Sequence, residues 1–376
     1  MTTATTGSTL SATKRIYNFS SGPAMLPLPV LEQAQRELLS LPGVGMSVLE
    51  ISHRSKTFID ILEAAKQSLI EVMNIPKNYH VLFLQGGGRL LFSMVPMNLL
   101  RGRKEPANYV VTGTWGNTAL PEAKKEGAAT IAWDGKATNY DRLPTASELK
   151  LDADASYVYM VSNETIQGVQ FPGPIDSGNA PLVCDASSDI LCRPVDISKY
   201  GIYYACAQKN AGPAGVTIAI VRDDLLERSQ DSLPGYMNFK NHVKENSLYN
   251  TPPCFAIYLT GLVAEWVKND MGGLAKMETF NREKANLLYD VIDKSPGFYT
   301  GHAQKDSRSL MNVTFRLPSE ELTKKFIAEA DAKGMNGLAG HRSVGGCRAS
   351  IYNAMPREGI VLLRDFMQEF KDKNAN

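Results

Sequence analysis

Cysteine is scarce in this chain, net charge is almost nil and no apolar run is long, and each lack removes a class of protein. The five cysteines, Cys184, Cys192, Cys206, Cys254 and Cys347, contain no C-x-x-C pair. Their odd number fits a reducing compartment better than a disulfide-stapled secreted scaffold. The five histidines are scattered and no H-E-x-x-H occurs, so a metal site has no support in the pattern. No apolar run approaches the ~20 residues needed to span a bilayer. A net charge of +1 leaves no broad basic face for nucleic acid. Any preference for anions must therefore come from a local cluster of arginine and histidine.

What is present is an ordinary globular composition, 43% hydrophobic over 376 residues, large enough for one big domain and a smaller one without disulfides or a structural metal. Residues 1–15 are rich in Thr and Ser and free of acids. They read as a disordered tail and lack the Arg content and amphipathicity of a transit segment. The expected compartment is cytoplasmic, or a plastid if that tail is a trimmed transit segment. A helix is expected after Pro29, with Leu31, Ala34, Leu38 and Leu41 on one face, and a second from Thr57. Short apolar runs follow at 81–84, 109–111, 157–161, 182–184, 202–205 and 216–221. Such runs between helical or loop stretches indicate strands buried on both faces, hence an α/β fold with a mostly parallel sheet. Ligands of such sheets sit beyond the carboxyl ends of the strands. Past Gly272-Gly273 the pattern changes to a long helix, strand-like runs at 311–315 and 348–352, and helices at 320–332 and the C-terminus. This predicts a large domain over 28–272 and a smaller α+β domain over 273–376.

The unusual residues fall at predicted strand ends. Gln85-Gly86-Gly87-Gly88-Arg89 joins a strand to a helix, where bare glycines let N–H groups approach an anion. The spacing is neither that of a Walker loop nor G-x-G-x-x-G, and a plain tight turn is the alternative. Asp185 ends a short apolar strand, where it either caps the next segment or holds a heteroaromatic N–H⁺. Lys209, in Ala207-Gln208-Lys209-Asn210-Ala211-Gly212-Pro213, follows an apolar strand among small residues. Desolvation there would make its amine nucleophilic near neutral pH, although most turn lysines are merely solvated. Ser52-His53-Arg54 and Gly340-His341-Arg342, with Arg348 and Arg89, look like an anion pocket where two domains meet; singly, each is better read as a surface charge. Asn250-Thr251-Pro252-Pro253 signals a helix start, and Trp115 by itself a core residue.

Together these stretches resemble the phosphoserine aminotransferase family, in class V of the fold-type I pyridoxal-phosphate enzymes. The matching motifs are Asn18-Phe19-Ser20-Ser21-Gly22-Pro23-Ala24, Ser52-His53-Arg54, Gly86-Gly87-Gly88-Arg89, Asn163-Glu164-Thr165, Ala207-Gln208-Lys209-Asn210 and Asn250-Thr251-Pro252-Pro253. The most specific runs from Gly340-His341-Arg342-Ser343-Val344-Gly345-Gly346 through Arg348 to Pro356. The resemblance covers essentially everything after the tail. It implies pyridoxal 5′-phosphate carried on Lys209, Asp185 against the pyridinium nitrogen, Trp115 on the ring, and Thr165 beside the ring hydroxyl. Gly88, Arg89 and Gln208 would hold the cofactor phosphate. Asn250 and Thr251 would complete that cup from the partner of a homodimer. Ser21, His53, Arg54, His341, Arg342 and Arg348 would form the substrate-anion set. Residues 16–27 would pack with the small domain. Two departures stand out. Leu90-Leu91 replaces a small residue and Gln after the glycine loop, and Cys206 stands where glycine is usual.

The implied reaction passes an amino group from glutamate to 3-phosphohydroxypyruvate, giving phosphoserine and 2-oxoglutarate in serine biosynthesis. A phosphorylated hydroxythreonine is a further candidate substrate. Other class V chemistries, alanine–glyoxylate exchange or cysteine desulfuration, would not call for so many anion-binding residues. A desulfurase also needs a mobile loop cysteine, and none is evident. A cofactor-binding protein without turnover is disfavoured by the intact Lys209 and Asp185.

Overall fold

A computed structural model of the chain describes residues 15–375; the predicted tail lies, up to residue 14, outside them. Seven strands form the main sheet: β1 (Tyr79–Leu84), β2 (Ala107–Val111), β3 (Ala129–Asp134), β4 (Tyr157–Val161), β5 (Leu182–Asp185), β6 (Ile202–Cys206) and β7 (Thr217–Arg222). Their order is β1-β7-β6-β5-β4-β2-β3. Only β7 runs against its neighbours, pairing antiparallel with β1 and β6, while the other pairs are parallel. The mostly parallel sheet thus stands as read. The apolar-run pattern omits β3, whose outer residues are largely exposed, because an edge strand need not be apolar on both faces.

Helices follow the same logic of buried faces. Helix α1 (Leu28–Glu37) buries Val30 and Ala34. The expected stripe continuing to Leu38 fails, because the helix stops at Glu37 and Leu38 is exposed. Helix α2 (Lys56–Met73) is capped by Ser55, whose Oγ accepts the Phe58 N–H, and buries Phe58, Leu62, Ala65 and Leu69. Helices α3 (Gly87–Leu99) and α4 (Thr114–Ala123) cover the opposite face of the sheet. With them sit tyrosines that satisfy one another in the dry core, Tyr109 with Tyr157 and Tyr159 with Tyr204, each pair 2.8 Å apart. Helix α5 (Cys254–Glu265) packs against α2. None of the described helices is long and apolar enough to cross a membrane.

After Gly272 and Gly273, both at positive φ, come α6 (Leu274–Asp293), α7 (Glu320–Ala332) and α8 (Arg357–Asn374). They enclose an antiparallel sheet of β8 (Thr300–Gly301), β9 (Asn312–Arg316) and β10 (Cys347–Ser350). A second core of Phe315, Phe326, Leu363, Phe366 and Phe370 fills it. Tyr17–Asn18 pairs with Met335–Asn336, and Phe19 is fully buried in the same core. Buried amides join the two cores. Asn163 Nδ2 donates to Asn312 Oδ1 at 2.8 Å, Asn281 Nδ2 to the Cys192 carbonyl at 3.1 Å, and the Asn353 N–H to Asn210 Oδ1 at 2.8 Å. The first and third of these bonds set β9 and the segment after β10 against the loops that follow β4 and β6.

Candidate active site

Strand β6 runs out at Cys206, and the chain turns at once: the N–H groups of Ala211 and Gly212 both return to the Ala207 carbonyl. That turn aims Lys209 back over the sheet edge. Its Nζ donates to Thr165 Oγ1 at 2.6 Å and lies 5.3 Å from the Trp115 ring centre. Burial lowers the Lys209 pKa, Cys206, Asp185 and Glu164 oppose the shift, and Arg348 adds to it. Gly22 closes the other side at φ +133, where a Cβ would stand 3.2 Å from Lys209 Cγ. The Ala24 N–H donates to the Gln208 carbonyl at 2.9 Å, and the Ser21 carbonyl accepts the Tyr352 hydroxyl at 2.9 Å. The loop at 20–24 is thereby seated on the lysine stem.

Asp185 closes β5 with its side chain in the same space. Its Oδ1 accepts the Ser187 N–H at 2.9 Å. Burial raises its pKa, with hydrogen bonds from Ser187 and the charge of Lys209 opposing the shift. A cationic N–H facing this carboxyl would restore its charge. Ser187 Oγ in turn accepts the Cys206 N–H at 3.1 Å and the Cys206 thiol at 3.1 Å. Facing them is the glycine loop. At Gly88 a Cβ would lie 3.5 Å from Cys206 Sγ and 3.7 Å from Asp185 Oδ2, so a side chain would occupy the space beside the carboxylate. Gly86, at φ +91, opens α3 with no side-chain cap. The unpaired N–H groups of its first turn make this an anion-binding end. The Leu90-Leu91 departure is accommodated by packing: Leu91 is fully buried under the loop and Leu90 folds against Gly86.

Trp115 forms the opposite wall. It stands in the first turn of α4, where Glu164 Oε2 accepts its N–H at 3.0 Å and Oε1 that of Gly116 at 2.8 Å. Burial pushes the Glu164 carboxyl up to about 7, against those two N–H donors. The Arg89 guanidinium lies 6.0 Å from the Trp115 ring centre. These walls enclose a cavity of 310 Å³ lined by Lys209, Asp185, Trp115, Gly88, Arg89, Thr165 and Gln208 among others. A larger open groove lies beside Arg142, whose guanidinium is paired by Glu148 at 2.7 Å; the other charged residues lining it are Asp176 and Asp306, which do not suit an anion.

Arg348 enters from β10. It is buried at 8% exposure, and its Nε has no hydrogen-bond partner. Burial lowers the His341 pKa, and the charges of Arg348 and Arg342 lower it further. His341 Nδ1 meets Ser343 Oγ at 2.8 Å, and Arg342 is exposed. A buried cation without an acid implies an anionic ligand.

The chain matches the aminotransferase class-V model over residues 16–363. It belongs to that family. It is 57% identical to the phosphoserine aminotransferase of Rhodopirellula baltica, over 98% of each chain. The solved phosphoserine aminotransferase of Bacillus circulans subsp. alkalophilus superposes with a TM-score of 0.93 at 49% identity, covering 96% of this chain and 99% of that one. The pyridoxal-phosphate-bound enzyme from Trichomonas vaginalis gives 0.89 at 38% identity, over 94% of this chain and all of that one.

Pyridoxal phosphate is therefore the cofactor of this aminotransferase, and the cavity has the features to hold it: an uncapped helix start, an open space kept by Gly88, a buried carboxyl and a half-buried lysine. Of the residues singled out in the sequence, Lys209, Asp185, Trp115, Thr165, Gln208, Gly88 and Arg89 line one cavity. Ser21 adjoins Gly22, which stands against the Lys209 stem, and the charge of Arg348 is felt by both Lys209 and His341, that of Arg342 by His341. Four others do not come together there within one chain. His53 and Arg54 precede α2 and make no side-chain hydrogen bond or ion pair among the described residues. Asn250 and Thr251 are exposed at the loop rim, where Asn250 Nδ2 donates to Gln85 Oε1 at 2.7 Å. Sequence reasoning gave no role to Ser187 or Glu164. Glu164 lies inside a motif quoted above and Ser187 two positions after Asp185, but a contact between distant turns leaves no spacing to read.

Proposed function

We infer that the chain transfers an amino group between glutamate and 3-phosphohydroxypyruvate, giving phosphoserine and 2-oxoglutarate. The observation that carries this reading is a half-buried lysine and a buried aspartate in one cavity, beside an unpaired buried arginine and a His–Arg pair, in a chain with full-length relatives named for this activity. Bound pyridoxal phosphate supplies an aldehyde for amines and a cationic ring that draws electrons from the substrate α-carbon. Lys209 Nζ would hold the cofactor and would move the proton of the substrate α-carbon. Asp185 would favour protonation of the ring nitrogen, and Trp115 and Thr165 would help hold the ring. The α3 N-terminus with Gly88, Arg89 and Gln208 would hold the cofactor phosphate. Arg348 grips the substrate α-carboxylate, with Ser21 beside it, and His341 and Arg342 take the distal anion.

The reading includes a homodimer. Asn250 and Thr251 face outward beside the loop, as residues completing a partner's phosphate cup would, and His53 and Arg54 fit the same arrangement. We also read the chain as two domains divided near Gly272-Gly273. Five free cysteines accord with a cytoplasmic location.

Half-reaction kinetics test the anion assignments. Arg342→Leu should raise KM for phosphoserine far more than for glutamate, whereas Arg348→Leu should damage both half-reactions alike. The Arg348 loss should be about 2–5 kcal/mol, the cost of truncating a buried charge-assisted contact, and the loss at the exposed Arg342 should be smaller and confined to phosphoserine. Equal losses for both donors in the Arg342 variant would remove the phosphate clamp and leave a class V aminotransferase of undefined acid specificity.

A further inference from the structure

Helix α4 begins without a cap of its own. Its N-cap position is Gly113, and no neighbouring side chain in the sequence bonds the opening N–H groups. A carboxylate about fifty positions away fills that place: Glu164 takes the Trp115 and Gly116 N–H groups on separate oxygens at 3.0 and 2.8 Å. We propose that Glu164 is a positioning residue for the cofactor ring, acting through Trp115, whose backbone it clamps and whose indole it thereby sets over the site. The proposal rests on the reading of this cavity as the pyridoxal-phosphate site.

Burial makes the arrangement exacting. Glu164 has no exposed surface, and a buried carboxylate is tolerated only where donors replace its water. The helix start supplies them, along with the positive end of its dipole. The surrounding backbone is shaped around this one side chain. At Gly113 a Cβ would fall 2.5 Å from both Cγ and Cδ of Glu164, and at Gly116 it would fall 3.5 Å from Oε1. Gln167 clamps the same turn from the other side: its Nε2 donates to Thr114 Oγ1 at 2.8 Å, and its Oε1 accepts the Thr114 N–H at 3.3 Å.

The clamp also ties the indole to the lysine. Asn163–Glu164 pairs with Val169–Gln170 in a short antiparallel ribbon, and the next residue, Thr165, accepts Lys209 Nζ. One ribbon therefore references both Trp115 and Lys209, which stand on different strands' loops. Only a carboxylate presents two acceptor oxygens to two N–H donors. Glutamine would turn its NH₂ toward one of them, leaving a buried donor unmet.

A double-mutant cycle on the full-length protein, read by equilibrium binding of pyridoxal phosphate, tests this. Glu164→Gln should raise the dissociation constant about tenfold, as expected for one lost charge-assisted bond. In a Trp115→Ala background the same change should cost less than about twofold, because the group it acts through is gone. Melting of the cofactor-free proteins is followed in parallel; a merely structural role would weaken binding and lower the melting temperature equally in both backgrounds. An equal penalty in both backgrounds, or none in the presence of Trp115, would overturn the proposal. Should Glu164→Gln fail to fold, the cycle is run with Gly113→Ala, whose methyl would displace the carboxyl. If the wild-type protein formed no lysine-bound cofactor, the reading of the cavity itself would fail, an outcome separate from these.

Discussion

Lys209→Ala should abolish steady-state transamination while leaving the fold and weak cofactor binding intact. The loss should be on the order of 10⁴-fold, the upper range for a removed proton-transfer group, since the same amine also carries the cofactor. The fold should survive, because the amine contributes one hydrogen bond, to Thr165, and its charge is already disfavoured by burial. Cofactor should still associate through the α3 N-terminus, Trp115 and Asp185, none of which needs the lysine. Stopped-flow turnover and thermal melting together measure both halves of this expectation. Wild-type turnover in the variant would remove Lys209 from the reaction.

Asp185→Asn should keep the cofactor bound but slow both half-reactions by about 3 kcal/mol, or roughly 150-fold. An asparagine oxygen can still accept the Ser187 N–H now bonded to Oδ1, so the local turn should hold. What disappears is the negative charge that keeps the ring nitrogen protonated, and a neutral ring stabilises the substrate carbanion poorly. The cofactor-free protein should melt no lower than wild type, since burial penalises the ionised Asp185. The expected signature is a lower kcat with both glutamate and phosphoserine and no loss of stability. A near-normal rate would leave Asp185 only a structural part in its turn.

The contrast between these residues and Glu164 shows what the sequence can and cannot disclose. Lys209 was legible because a charged residue straight after a strand buried throughout breaks an otherwise apolar pattern. Gly88 was legible because three adjacent glycines at a strand-to-helix turn serve backbone geometry. The parallel sheet followed from strands apolar on both faces, and β3 escaped because an edge strand is half solvated. Family resemblance, rather than spacing, supplied roles for Asp185 and Trp115. Glu164 and Ser187 stayed without a role because their function lies in contacts with other turns, Glu164 with α4 and Ser187 with Cys206. His53, Arg54, Asn250 and Thr251 do not line the cavity within one chain, and neither composition nor spacing says what they reach.

The measurement that bears most directly on the account is a single turnover of cofactor-loaded protein with one amino donor and no keto acid. Phosphoserine should release 3-phosphohydroxypyruvate, and glutamate 2-oxoglutarate, each in an amount equal to the active sites, with alanine reacting far more slowly than either. A phosphorylated hydroxythreonine included beside them reports how far the distal anion site extends. Reaction with glutamate and alanine but not with phosphoserine would contradict the phosphorylated-substrate reading, and no reaction with any donor would contradict transamination itself.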